Sequence, residues 1–328
     1  MRVDILEYVR CPVCSGTSFE IDILEQDVYE IREGGLLCRD CGRRYEIHKG
    51  IVDLLANPSP EVVSEQKGWV EMLGETTEDL VDTMLRLPYL QDDLWVTVSE
   101  NFDQAISGVD LTGKCVLDIG AGRCWSTRRL LLGGASYAMG LDILKERFIG
   151  LETADIFIQH DAACFDRVVG DMNDLPLRKG AFDIVFLTAT LHHSSDLLKT
   201  LRQVAYVLAP NGVVIVVNEP VRSMLRTRDL AGCVELEHGI NEHVYSIFEY
   251  LRALKQVGLC SVIFFPRSIA LKLDKSDRRA KQEMGHLGYH IISRLWRRKL
   301  TYQALNGWLL PATYVVASMP LVLHARKC

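Results

Sequence analysis

Apolar and polar positions alternate along the chain in three different ways. Residues 1–56 hold short strand-like runs broken by turns. Asn57-Pro58-Ser59-Pro60 is a turn-rich break. After it, Trp69, Met72, Leu73, Leu80, Val81, Met84 and Leu85 recur at helical spacing, which predicts a helical segment over 57–108. From about Val109, β-branched runs (Cys115–Ile119, Ala138–Leu141, Val168–Val169, Ile184–Leu187, Val213–Val217) alternate with longer amphipathic stretches. That rhythm predicts βαβ units and a parallel sheet over 109–328. No internal repeat or low-complexity tract interrupts it.

Composition narrows the classes. The 328 residues are 48% hydrophobic and 24% charged, a balance that excludes disorder, collagen and coiled coil. A net charge of −6 gives no global attraction to nucleic acid and argues against it as a partner. Charges in Met1-Arg2-Val3-Asp4 stand where an exported chain needs an apolar run, so a cytoplasmic location and ten reduced cysteines are expected.

Cys11-Pro12-Val13-Cys14 and Cys38-Arg39-Asp40-Cys41 are two C-x-x-C knuckles. Each places two thiolates on a tight turn, and together they supply the tetrahedral sulfur set of a structural zinc. Four sulfurs leave no open position, so His48 is read as a surface histidine. These knuckles, with Arg44-Tyr45-Glu46-Ile47 and Gly50-Ile51-Val52-Asp53-Leu54-Leu55, resemble the small zinc-ribbon family that activates tRNA and protein methyltransferases.

Val116-Leu117-Asp118-Ile119-Gly120-Ala121-Gly122 is a strand running into a glycine turn, with a helix starting near Ser126. Such a corner offers backbone N–H groups and a positive helix end to a ligand. A nucleoside triphosphate would need Gly-Lys-Ser/Thr, which is absent, and a dinucleotide needs a third glycine where Trp125 stands. S-adenosylmethionine, which carries no phosphate, remains. Asp142 ends the next strand, placed to accept from the ribose hydroxyls. With Gly170-Asp171-Met172, Phe182-Asp183-Ile184-Val185-Phe186 and Leu191-His192-His193, the run from Val116 to Pro220 resembles the class I S-adenosylmethionine-dependent methyltransferases, nearest the ubiquinone and menaquinone subgroup.

The resemblance implies a Rossmann-like, seven-stranded, mostly parallel sheet with helices on both faces, behind a small zinc-ribbon domain. It assigns Asp118, Gly120 and Gly122 to the methionine end of the cofactor, Asp142 to the ribose, Asp171 and Met172 to the adenine, and Thr188 to the mouth of the fourth strand. It also expects a small residue, usually glycine, where Cys124 stands.

Methyl transfer needs an aligned acceptor and, for a hydroxyl, a proton acceptor. His193 after strand four, Glu219 at the end of strand five and His243 before a helix at Ile247–Gln256 are the candidates. Glu219 is expected to point toward substrate by strand alternation, and His192 to hold backbone at a helix start. From 267 to 299 basic residues outnumber acidic ones ten to three, and 300–325 has no charged side chain apart from histidine. A helical insertion near 270–318, between the last two strands, accounts for this. Peripheral membrane contact through 267–325 is a further expectation. The chain therefore reads as a methyltransferase that uses S-adenosylmethionine and structural zinc to methylate oxygen, or else nitrogen or carbon, of a small-molecule or lipid-linked acceptor. The alternatives are an RNA methyltransferase and a non-catalytic zinc-ribbon adaptor with a vestigial cofactor pocket.

Overall fold

The computed structural model describes residues 1–74, 80–225, 234–275, 278–297 and 309–328. Four short strands open the chain: β1 (Phe19–Gln26), β2 (Ile31–Cys38), β3 (Arg44–His48) and β4 (Ile51–Asp53). The parallel strands β5 (Cys115–Ile119), β6 (Tyr137–Asp142), β7 (Asp166–Val169), β8 (Phe182–Thr188) and β9 (Leu208–Val221) follow. Strands β10 (Leu259–Phe264) and β11 (Met319–Lys327) complete the set, with β11 antiparallel to both β9 and β10.

All eleven belong to one sheet, in the order β1-β2-β3-β4-β7-β6-β5-β8-β9-β11-β10. The expected seven strands are β5 to β11; the four ribbon strands extend them rather than forming a separate layer. The seam is a parallel pairing of β4 with β7, Val52 opposite Val168. It covers what would otherwise be an open sheet edge.

Buried charge reinforces that seam. Arg167 on β7 has a fully buried side chain. Its guanidinium donates to the Glu30 carboxylate of the ribbon, to Asp155 (2.7 Å) and to the Lys49 carbonyl (3.1 Å). Arg32, also in the ribbon, reaches Asp155 at 2.8 Å.

Alternate residues of the central strands feed two cores. Leu117, Met139, Leu141, Val185 and Leu187 pack on one face, and Val116, Ala138, Ile184, Phe186 and Ile215 on the other. Burial on both faces explains the β-branched runs without polar alternation. The helices are α1 (Pro60–Leu73), α2 (Val81–Arg86), α3 (Asp93–Ile106), α4 (Trp125–Leu132), α5 (Ala154–Asp161), α6 (Leu197–Val207), α7 (Val234–Glu237) and α8 (Ile247–Gln256). Ser59 caps α1 through the Val62 N–H, and Pro60 occupies its first turn, so the turn-rich break is also a helix start.

Between β10 and β11 lie α9 (Arg267–Asp274), α10 (Arg278–Met284), α11 (His286–Trp296) and α12 (Leu310–Val316). The expected insertion is thus helical, although residues 298–308, which include the start of the uncharged stretch, lie outside the described residues. Three of its basic side chains are engaged with the protein: Arg267 with Glu100, Lys272 with Glu283, and Arg279 with Asp93. No helix among the described residues is long and apolar enough to cross a membrane. The expectation of ten reduced cysteines is corrected at one place. Cys260 on β10 and Cys328 form a disulfide, 68 residues apart in sequence and 5.2 Å apart between Cα atoms.

Candidate cofactor and acceptor site

Sulfur atoms of Cys11 and Cys41 stand 3.6 Å apart, as do those of Cys14 and Cys38, and all four lie within 4.8 Å of one another. Sulfurs about 2.3 Å from a tetrahedral zinc are separated by roughly 3.8 Å, so this set fits the ion. The Tyr45 hydroxyl lies 3.0 Å from Cys11 Sγ and can donate to its thiolate. His48 is exposed and paired with Glu33 at 3.0 Å, apart from the sulfur set.

At the carboxyl ends of β5, β6 and β8 a cavity of about 340 Å³ opens. Gly120, Gly122, Asp142, Met172 and Thr188 are among its lining residues. Gly120 has φ +69°, and a Cβ there would come within 2.3 Å of Thr190. Cys124 adopts φ +58° at the start of α4, a conformation that favours glycine, and cysteine takes it with its side chain fully buried.

Asp142 accepts from the N–H of Gly122 (2.7 Å) and of Leu144 (2.8 Å). Burial raises its pKa to about 6 despite those bonds. A ligand hydroxyl that donates to it would relieve part of that cost. Asp118 is not among the lining residues. It is fully buried and accepts from Ser126 Oγ (2.6 Å) and Thr127 Oγ1 (2.7 Å), which fixes the strand-to-helix corner. Its Oδ1 is buried without a hydrogen-bond partner, and burial lifts its pKa to about 7. Asp171 also lies outside the lining, holding its own turn through the Asn173 N–H at 2.7 Å. An apolar wall with Leu141 and Met172, a glycine turn and a buried carboxylate therefore fit S-adenosylmethionine, with Asp118 buried and both Asp118 and Asp171 outside the lining.

The proposed proton acceptors separate. His193 lines the cavity, and its Nδ1–H donates to the Asn241 carbonyl at 2.6 Å. Burial, then the neighbouring His192, lowers its pKa to about 4, so the ring is neutral near pH 7. Glu219 does not reach the cavity. Asn218 has φ +60°, and the β9–β11 register slips there, a bulge that cancels the alternation on which the sequence expectation rests. Glu219 is instead fully buried behind the β8 loop. It accepts from the N–H of Thr190 (2.6 Å), Leu191 (2.8 Å) and His192 (3.3 Å), and from His192 Nδ1 (2.9 Å). Burial pushes its pKa up, but the His192 and backbone hydrogen bonds outweigh it and hold the carboxyl below its ordinary value. His243 is exposed and stacks on Tyr245 outside the cavity, while its backbone N–H bonds to the His192 carbonyl.

Sequence reasoning misses Glu65. With Trp69 and Leu73 it forms an i, i+4, i+8 stripe of α1 that lines the cavity. Glu65 Oε2 accepts from Asn241 Nδ2 at 3.0 Å, and burial raises its pKa to about 7. Trp69 meets the His193 ring edge-on, with centroids 5.5 Å apart. A carboxylate inside an otherwise apolar helical stripe is the signal that points to it.

Comparison with known proteins agrees with the fold and the cofactor class. Residues 117–216 match the family model described as "Methyltransferase domain", and residues 2–50 the one described as "Trm112p-like protein". Among curated relatives, "Arginine-hydroxylase NDUFAF5, mitochondrial" of Danio rerio is 27% identical over 150 residues, covering 46% of this chain and 41% of the relative. The tRNA U34 carboxymethyltransferase of Klebsiella pneumoniae is 31% identical over 106 residues, 32% of this chain and 31% of the relative. The chain thus spans less than half the length of these relatives. Geranyl diphosphate C-methyltransferase from Streptomyces coelicolor A3(2) shares the fold at TM-score 0.52 and 14% identity, over 83% of this chain and 100% of that one. These matches correct one expectation. The acidic balance argues against nucleic acid as a partner, but a tRNA-modifying relative and a Trm112p-like ribbon overturn that exclusion.

Proposed function

We propose that this chain, which joins a Trm112p-like zinc ribbon to an S-adenosylmethionine-dependent methyltransferase domain, transfers the cofactor's methyl group to an oxygen of a small-molecule or lipid-linked acceptor resting against Trp69 and Trp95. One observation carries the reading: a single cavity is lined both by the cofactor wall (Gly120, Gly122, Asp142) and by Glu65 and His193. Gly120 and Gly122 take the methionine end, Asp142 the ribose hydroxyls, and Met172 the adenine, with Thr188 at the mouth. Glu65, whose pKa lies near 7, accepts the acceptor's proton. His193 contacts the acceptor, and Glu219 positions the β8 loop through His192. The four thiolates of Cys11, Cys14, Cys38 and Cys41 hold a structural zinc.

A second reading keeps the chemistry and makes the acceptor a base within RNA. The tRNA-modifying relative and the Trm112p-like ribbon support it. Both readings are tested together by incubating the protein with methyl-labelled S-adenosylmethionine and cell extract, then counting label in RNA, lipid and small-molecule fractions. Gly120→Arg, which fills the cofactor turn, is the control. Label in the lipid or small-molecule fractions supports the first reading, and label in RNA the second. A protein that neither binds the cofactor nor transfers label would overturn both.

A further inference from the structure

Beside the cofactor wall stands a group of ligating side chains that methyl transfer does not itself require. One ring nitrogen each of His192 and His193 and one carboxylate oxygen of Glu242 lie within 4.8 Å of one another. His192 and Glu242 are buried and His193 half-buried. His192 Nε2 is 3.7 Å from Glu242 Oε2, and the two imidazole rings are 4.0 Å apart between centroids. Ligands about 2.0–2.2 Å from one ion stand roughly 3–3.5 Å from each other, so small side-chain shifts would close the set.

Orientation is the stronger argument. His192 donates Nδ1–H to Glu219, which turns Nε2, the atom nearest Glu242, toward the cluster, where a cation would displace any proton it carries. A carboxylate behind an imidazole is the arrangement that fixes metal-ligating histidines. Glu219 is itself held by three backbone N–H groups, so the imidazole sits on a rigid base. His193 carries its proton on Nδ1, against Asn241 and 3.9 Å from Glu242 Oε2, so its lone pair is on Nε2 and a small turn of the ring would be needed to bring it to the ion.

We propose that His192, His193 and Glu242 form a divalent-cation site that binds an oxygen of the methyl acceptor. Two imidazoles and one carboxylate suit manganese, iron(II), cobalt or zinc better than magnesium or calcium. The inference rests on the methyltransferase reading and names what holds the acceptor. In the step it serves, the acceptor's O–H proton passes to Glu65 and an oxygen lone pair forms the new O–C bond. The S–C electron pair stays on sulfur, and S-adenosylhomocysteine leaves. A cation on that oxygen stabilises the charge that develops as the proton departs.

The test titrates full-length, zinc-loaded protein with Mn²⁺ and follows loss of the free-ion paramagnetic resonance signal. One ion bound in the micromolar range is expected, a metal that four thiolates do not favour. Glu242→Gln and His192→Ala should weaken binding about tenfold or more, whereas Glu242→Asp should retain it. Circular dichroism checks that each variant folds. Absence of Mn²⁺ or Co²⁺ binding beyond the sulfur site, or binding unchanged in both weakening variants, overturns the proposal. Calorimetry with S-adenosylhomocysteine on the same samples separates the two inferences. Nucleoside binding without the cation sinks only the cation site. Cation binding lost in the variants, with no nucleoside binding, upholds the site and sinks the methyltransferase reading.

Discussion

Glu65 Oε1 stands 3.8 Å from His193 Nδ1, which brings a carboxylate of α1 against the loop that follows β8. Removing charge there while keeping shape isolates proton acceptance from packing. Glu65→Gln can still engage Asn241, so the helix should stay docked. Methyl transfer at saturating substrate should fall about 10²-fold, the usual scale for a lost proton acceptor. Affinity for S-adenosylhomocysteine should change less than about threefold. Unchanged turnover would remove Glu65 from the chemistry; lost nucleoside binding would make it a packing residue.

Asp142 gives the site a pH dependence whose sign follows from its environment. Its pKa, raised by burial to about 6, lies above the ordinary carboxylate value. On the proposed assignment, the ionised carboxylate accepts from the ribose hydroxyls above that pH, and below it protonation removes acceptor capacity. Affinity for S-adenosylhomocysteine should therefore be level above neutrality and fall as pH drops through 6, by at most about tenfold per unit. Asp142→Ala should cost at least about tenfold at neutral pH, on the order of 1.4 kcal/mol, and should flatten the acid limb. Calorimetry at a series of pH values checks both. A limb that persists in the variant would assign it to another group.

Much of this was legible because the informative residues repeat a local rule. Cys11, Cys14, Cys38 and Cys41 announce their geometry by spacing, and Val213–Val217 is a run without polar alternation because both its faces are buried. What escaped depends on single backbone decisions or on tertiary placement. The turn of Glu219 away from substrate follows from one left-handed residue, Asn218, whose conformation leaves no periodic trace. The union of ribbon and sheet rests on β4, three residues long and too short to declare a partner. Glu65 is an acidic residue in an amphipathic helix until α1 is seen over the cavity. Cys260 and Cys328, 68 residues apart, carry no spacing signature.

Continuity of the sheet changes what zinc loss should do. Cys38→Ser breaks the sulfur set, and cobalt-exchanged protein should lose its thiolate-to-cobalt absorption. Because β4 pairs with β7, the damage should spread beyond the ribbon. All five tryptophans lie after residue 56, so their fluorescence reports on the remainder of the chain. Fluorescence and far-ultraviolet circular dichroism should melt together, with a midpoint lowered by roughly 10 °C, equivalent to a few kcal/mol. A tryptophan transition that stays at the wild-type temperature would show that the ribbon unfolds alone.

Arg167 tests the same seam through charge. Its side chain is fully buried and joins Glu30 of the ribbon to Asp155 behind β7. Such a pair adds little net stability over an apolar pair of equal volume, but removing one member strands the other. Arg167→Met should therefore cost about 3–5 kcal/mol, since Glu30 has only 2% of its side chain exposed and cannot turn to water. Urea unfolding at neutral pH measures this. Unfolding at acid pH supplies a second check. Partners such as Arg167 hold the Glu30 carboxyl below its ordinary value despite burial, so Arg167 stabilises above the unfolded glutamate pKa and the benefit fades as pH falls through the folded one. The gap between variant and wild type should narrow in acid. A gap that is constant with pH would mean that Arg167 acts by filling space, and a cost below about 1 kcal/mol would mean that Arg32 and the Met1 ammonium suffice to neutralise Glu30.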